Sequence, residues 1–425
     1  MADSWMTHSI EFVCLIFSLL AIFSILASKF AFWLKIPYLL LLLIIGMLAG
    51  SEGIGGIEFE DYQLVQNIGI IALIFILFSG AIDTNLAQVQ SIFIEGVLLS
   101  TIGIITSTVI FAGFCHVILQ FTIYESLLLG SIVSSTDAAS VFSILRTYKG
   151  NIPEKLKTLI EFESGSNDPM SILLTMSFIS IITTPYFSAL HMIWHFLQEA
   201  ILSIILGIVV GNVAPRFINS LKLEQDGLYP VLTMAIVLFT YSVAHLCDGS
   251  GFLTVYVTGL YMGKSEFCYK KQIIAFHENF TWLMQIITFL ALGLLVFPYQ
   301  LLDDINNVLI MSLLLMLVAR PMSVIMSLIP SKFSLKEQFV VSCAGIRGAV
   351  PMILATFPLA HGLNKAHMIF NTVFCIVLTS IFVQGSLLLR AHKFLESSSS
   401  SRYLEKNNVL PPFYGENEYS FFKRL

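Results

Sequence analysis

Apolar runs long enough to cross a bilayer recur from one end of this chain to the other, separated only by short polar joints. A helix needs about 20 residues to span a hydrocarbon core. Thirteen candidate spans can be marked, near 9–27, 34–51, 64–82, 92–119, 124–147, 154–184, 190–214, 228–246, 250–263, 273–297, 304–329, 336–361 and 367–390. Charge agrees: 12% of residues are charged, against about 25% in a water-facing domain. Inside lipid every backbone polar group must be satisfied within its own segment, which leaves helices as the economical solution. The expected fold is an all-α polytopic membrane protein with about thirteen transmembrane helices. The first run follows an acidic N-terminus and has no small-residue cleavage site, so it reads as a retained helix rather than a signal peptide.

Lysine and arginine sort along this map. With the N-terminus outside, all but three of the 22 fall in segments that would be cytoplasmic. Lys365 sits in an outer joint, and Arg320 and Arg347 lie inside spans. The outer joints are acidic or neutral, as in "SEGIGGIEFEDYQ". The sorting places the C-terminus in the cytoplasm. Residues 1–395 would form one membrane domain, and 396–425, a serine-rich hinge and short polar tail, a flexible cytoplasmic appendage.

Five ionisable groups then remain in mid-span: Asp137, Glu163, Asp168, Arg320 and Arg347. Each costs at least about 2.5–3.5 kcal/mol near the bilayer centre unless it meets a partner or water. Structural ion pairs would explain either arginine, but two cations cannot neutralise three carboxylates. At least one acid is left for a proton or a mobile cation.

The stretch "FESGSNDPM" narrows the choice. Glu163 and Asn167 are one helical turn apart, and so are Ser164 and Asp168, which makes two adjacent rows of oxygen ligands. Pro169 has no N–H, so the Gly165 carbonyl lacks a helical donor, and Gly165 itself has no side chain to hold a neighbour away. Hard oxygens suit an alkali cation, whereas a transition metal would call for His or Cys. In the fifth span "SSTDAAS" places Thr136 and Asp137 in a small, polar, weakly helical segment; in the twelfth, "CAGIRGAVP" carries Gly345, Gly348 and Pro351. Gly165, Pro169, Gly345, Gly348 and Pro351 are the expected helix breaks. Interruptions at corresponding places in two halves point to a transporter site. The halves would be inverted repeats over about 9–184 and 228–390, with discontinuous helices 5 and 12 crossing at the ion site.

At these residues the chain resembles the NhaP-type monovalent cation:proton antiporters. The motifs are T-D in "STD" and E-S-x-x-N-D in "ESGSND", joined by "LLMLVARPMSV" and "AGIRGAVPMILATFPL". "GSNDPM" and "RGAVPMILATFPL" are most similar to the bacterial potassium/proton branch. The resemblance covers about residues 10–390. It implies a secondary antiporter, not an enzyme, exchanging K+ or Na+ for H+ across the bacterial inner (plasma) membrane in cation, pH and volume homeostasis. Asp168 would be the exchanging carboxylate. Thr136, Asp137, Glu163 and Ser164 would complete the site, with the alkali cation held at Asp168, Glu163, Ser164 and Thr136. Arg320 would pair with Glu163 and Asn167, and Arg347 would lie near the twelfth-span crossing. A neutral residue, Asn167, in place of a second acid implies electroneutral 1:1 exchange. Expected partners are the lipid bilayer and a second copy of the chain, in a homodimer with a mobile core containing spans 5, 6, 12 and 13. No cofactor and no nucleic acid are implied. Members of that branch often carry large cytoplasmic regulatory domains, whereas this sequence ends after a thirty-residue tail.

Two other classes share some of these features. A cation channel would use buried oxygens, but nothing here reads as a pore-loop filter. An intramembrane hydrolase would need a nucleophile. "DGSGF", with Ser250 five residues after His245, is the only superficial candidate, and a turn between two spans accounts for it.

Overall fold

A computed structural model describes residues 10–34, 38–147, 152–184, 189–297, 299 and 305–407. The first half contains α1 (Ile10–Leu34), α2 (Tyr38–Ala49), α3 (Tyr62–Asp83), α4 (Leu86–Val89), α5 (Phe93–Leu98), α6 (Ile104–Ile118), α7 (Ile123–Ser134), α8 (Ala138–Thr147) and α9 (Glu154–Thr183). Then come α10 (Ala189–Leu221), α11 (Leu228–Leu246), α12 (Gly251–Lys264) and α13 (Lys270–Leu294). The chain closes with α14 (Ile305–Leu314), α15 (Arg320–Leu328), α16 (Leu335–Cys343), α17 (Ala349–Leu354), α18 (Thr356–Ala360) and α19 (Ala366–Asn407).

Every one of the thirteen expected spans contains helix. Among the described residues, seven helices are long and apolar enough to cross a membrane, or eight if the bent pair α7–α8 is one span. The rest fall short for physical reasons. Helices α2 and α12 have 12 and 14 residues, and α9 carries the charged motif along its length. Helix α19 runs on to Asn407, through the serine-rich segment expected to be an irregular hinge. The end of the tail lies outside the described residues.

The two halves share three local devices at matching places. The fourth and eleventh spans each contain a π-helical turn, Leu99–Gly103 and Leu315–Ala319. Helices α7 and α16 each begin with a capping box, Thr122 with Glu125 and Ser334 with Glu337, which satisfies two otherwise unpaired N–H groups at the helix start. Each is then interrupted. Helix α7 stops at Ser134 and α8 restarts at Ala138 after a 43° bend, while α16 stops at Cys343 and α17 restarts at Ala349.

Helix-to-helix proximity divides the helices into two groups. In one, α1 packs on α2, α2 on α13, α13 on α3, and α12 lies between α3 and α10. In the other, α6 packs on α7, α7 on α9, and α14 and α16 on α19. The groups meet where α9 faces α12, α10 and α3, and where α17 and α18 face α3. At the latter seam Gly69 abuts Ile353 so closely that an added Cβ would lie 2.6 Å from its Cγ2.

Candidate functional site

The chain breaks at Ser135–Asp137 and Gly345–Gly348 meet one another. The Asp137 amide donates to the Ile346 carbonyl at 2.7 Å. Arg347 Nη1 donates to the carbonyls of Ser134 and Ser135 at 2.6 and 2.8 Å. These are the oxygens left without helical donors where α7 ends, and a buried unpaired carbonyl is costly. Its own amide donates to Ser380 Oγ at 3.1 Å. Arg347 therefore closes the break rather than pairing with an acid. Glycine is required at 348 because an added Cβ there would fall on the Asp137 carboxylate. Asp137 in turn caps α8: its Oδ1 accepts from the amides of Ala139 and Ser140, and Oδ2 accepts from Ser140 Oγ at 2.6 Å.

Helix α9 runs unbroken from Glu154 to Thr183 with Pro169 inside it, so Gly165 and Pro169, expected as helix breaks, do not interrupt it. The reason is local. The turn before Pro169 faces packed neighbours that hold it in place, and the proline forgoes one backbone bond without ending the helix. Gly345 and Gly348 do lie in the interruption ahead of α17, whereas Pro351 lies in the first turn of α17, where no N–H is needed.

The two rows of oxygens on α9 point in different directions. Glu163 and Asn167 turn into the protein. Both Glu163 oxygens are held by Arg320, at 2.6 and 2.9 Å, and each residue is at most 2% exposed. Arg320 also donates to the Val341 carbonyl at 3.3 Å. Asn167 does not reach Arg320; its amide donates to Thr136 Oγ1 at 2.6 Å and its carbonyl accepts from the Thr136 amide. The second row faces a cavity of about 540 Å³. Ser164 and Asp168 line it, together with Gly165, Thr158 and Glu161 of the same helix.

From the break come Ser135, Thr136 and Asp137, which line the same cavity. Thr136 Oγ1 and Ser164 Oγ are 3.0 Å apart, and Ser135 Oγ donates to Asp168 Oδ1. Four hard oxygen groups, those of Asp168, Ser135, Thr136 and Ser164, therefore converge at the cavity's inner end. Glu163 is not among them, because Arg320 occupies both of its oxygens. Among the described residues, neither Asp168 nor Asp137 has a cationic side chain within ion-pair distance. On its solvent-exposed side the cavity is lined by Asp83, Asn85, Gln88 and Glu161, with Lys157 partly exposed beside them.

Ser135 and Tyr256, both lining the cavity close to Asp168 or its helix, escaped the sequence reading. Ser135 is part of the quoted "SSTD", but nothing in its spacing singles it out. Tyr256 of α12 contributes its ring and hydroxyl to the wall and carries no charge to draw attention. The discarded hydrolase candidate resolves as a helix start: Ser250 Oγ accepts from the Leu253 amide, and its own amide donates to Ser203 Oγ.

The transmembrane sodium/hydrogen exchanger family model matches residues 16–391. The chain is 37% identical over 378 residues to the K(+)/H(+) antiporter NhaP of Alkalimonas amylolytica, covering 89% of this chain and 66% of that protein. It is 36% identical over 417 residues to the K(+)/H(+) antiporter NhaP2 of Shewanella sp. strain MR-4, covering 97% and 72%. It thus spans about two thirds to three quarters of these relatives' lengths. The fold is similar to that of the sodium proton antiporter MjNhaP1 of Methanocaldococcus jannaschii at pH 8. The TM-score there is 0.78 at 24% identity, over 88% of this chain and 96% of that one. With the family match spanning nearly all of the helical region, the chain belongs to the transmembrane sodium/hydrogen exchanger family, whose members are transporters rather than enzymes.

Proposed function

We propose that this protein exchanges one alkali cation for one proton across the bacterial inner membrane, with Asp168 carrying either but never both. The observation that carries this reading is the position of Asp168. It is a carboxylate lining the cavity, beside three hydroxyls and, among the described residues, without a cationic partner. The other mid-span charges are engaged: Glu163 by Arg320, Arg347 by the carbonyls at the end of α7, and Asp137 by its helix cap. Thr136 and Ser164 would supply further ligands, and Asp137 would act through water.

The two halves are read as inverted repeats, supported by their matched π-turns, capping boxes and breaks, with thirteen crossings, the N-terminus outside and the C-terminus cytoplasmic. The cavity mouth carries Lys157, one of the basic residues that sort to the cytoplasmic side, so this conformation is inward-open. The chain would act as a homodimer, its apolar α10 face (Trp194, Ile201 and Ile205 are exposed) meeting a second copy in lipid. Potassium is the first ion to test, since relatives at 36–37% identity are named K(+)/H(+) antiporters; sodium is the second.

In everted membrane vesicles, adding K+ or Na+ should collapse an imposed pH gradient for the native chain and leave it intact for Asp168→Asn at equal membrane abundance. Exchange that persisted in the variant would remove Asp168 from its role.

A further inference from the structure

Helix α12 is fixed in its bundle by backbone-close packing on two faces. Against α10 it meets Gly207 and Gly211, where added Cβ atoms would lie 2.6 Å from the Cβ of Val257 and of Tyr261, respectively. Against α3 its own Gly259 and Gly263 approach Ala81 and Ile82, with 2.6 and 2.5 Å left for a Cβ. Two small-xxx-small pairs, one on each side, are the packing that holds membrane helices most closely. Helix α9 belongs to the other bundle and shares no such glycine seam with α12.

Between them, among the described residues, stands one side-chain hydrogen bond: the Tyr256 hydroxyl and Ser166 Oγ are 2.8 Å apart. The Tyr256 hydroxyl and ring edge lie beside Gly165, at 3.4 and 3.5 Å from where a Cβ would be. Ser166 is two residues before Asp168 on the same unbroken helix. Tyr256 is 5% exposed and lines the same cavity as Asp168. A polar bond thus joins the fixed bundle to the helix bearing the exchange carboxylate, in the conformation whose cavity opens beside Lys157 and Glu161.

We propose that Tyr256 is a positioning residue for exchange. Its hydroxyl latches α9 at Ser166 in the Lys157-side-open state, and this bond breaks when the site is presented to the other face. The inference rests on the reading of Asp168 as the exchange carboxylate. Binding from each face is weakened by the fraction of protein not open to that face, so loss of a latch changes the two faces in opposite directions.

The test compares Tyr256→Phe, Ser166→Ala and the double variant, with K+ or Na+ supplied from the Lys157 face in everted vesicles and from the opposite face in right-side-out vesicles. One neutral hydrogen bond corresponds to about a fivefold change in an equilibrium. The ratio of apparent KM values, Lys157 face over opposite face, should therefore rise about fivefold in either single variant, with exchange retained. The double variant should show no further rise, because both changes remove the same bond. Four results would overturn the proposal: an equal KM rise on both faces (Tyr256 as an ion ligand), a fall in maximal rate alone (Tyr256 as packing), additive effects in the double variant, or loss of exchange in both single variants. Failure of the Asp168 reading would instead show as exchange persisting in Asp168→Asn, which leaves the KM ratio measurable.

Discussion

Arg320 and Glu163 form a buried pair with both guanidinium–carboxylate bonds made, so removing one partner strands a full charge in the protein interior. Breaking such a pair costs about 3–5 kcal/mol. Arg320→Ala should therefore lower the thermal stability of the detergent-purified protein sharply. Removing both charges, as Arg320→Met with Glu163→Met, should recover most of the loss, because no buried ion is then unpaired. Equal melting temperatures for Arg320→Ala and the native chain would show that this pair does not hold α9 to α15. The residue types of the site were readable from the sequence, because a carboxylate, an amide and hydroxyls in an apolar span have few other uses. Their partners were not. Residues 163, 164, 167 and 168 share two neighbouring stripes of one helix, and helical spacing does not say how that helix is rotated against its neighbours. The structure turns the Glu163–Asn167 stripe inward and leaves the Ser164–Asp168 stripe on the cavity. That rotation moves Asn167 from Arg320 to Thr136.

At the scale of elements, the glycines of the two motifs separate into different kinds. Gly348 sits against the Asp137 carboxylate with no room for a Cβ, whereas at Gly165 the nearest atom would be the Tyr256 hydroxyl oxygen at 3.4 Å, an ordinary contact. Gly348→Ala should abolish exchange by displacing Asp137 and with it the cap of α8, while Gly165→Ala should keep exchange within a few-fold of the native rate. Exchange assays on both variants, normalised to membrane protein, check the contrast, and a fully active Gly348→Ala would contradict the meeting of the two breaks. Glycine and proline in a membrane span announce irregularity without saying which of them bears it. Pro169 rides inside a continuous helix, and the polar "SSTD" segment makes the break. Neither π-turn was legible, since a one-residue widening of a helix leaves no spacing signature in "LLSTIG" or "LLLMLVA". One of them ends at Ala319, immediately before Arg320, and so helps set the direction in which that arginine points.

For the whole molecule, a single carboxylate that alternates between a proton and a cation makes two demands on transport. The ions compete, so lowering the pH on the loading face should raise the apparent KM for K+ or Na+ while the maximal rate at saturating cation stays unchanged. Under the proposed one-for-one exchange no net charge moves, so an imposed membrane potential at constant pH should leave the exchange rate in proteoliposomes unaltered. A rate that followed the potential would exclude one-for-one exchange. The overall plan was the most legible level of all. Thirteen apolar runs are a property of composition along the chain, and each contains helix in the structure. The division into two bundles was not, because it depends on which apolar faces choose one another, and Leu, Ile and Phe on lipid-facing and protein-facing sides look alike.

The continuity of α9 has a mechanical consequence. Glu161, at the mouth of the cavity, and Asp168, at its inner end, are seven residues apart on one unbroken helix, a separation of about 10 Å along the axis. Entrance and carboxylate are thus two marks on a single rod, and neither can be displaced along its axis without carrying the other. A spectroscopic label near the cavity entrance would serve as a dipstick for the depth of Asp168 in the membrane.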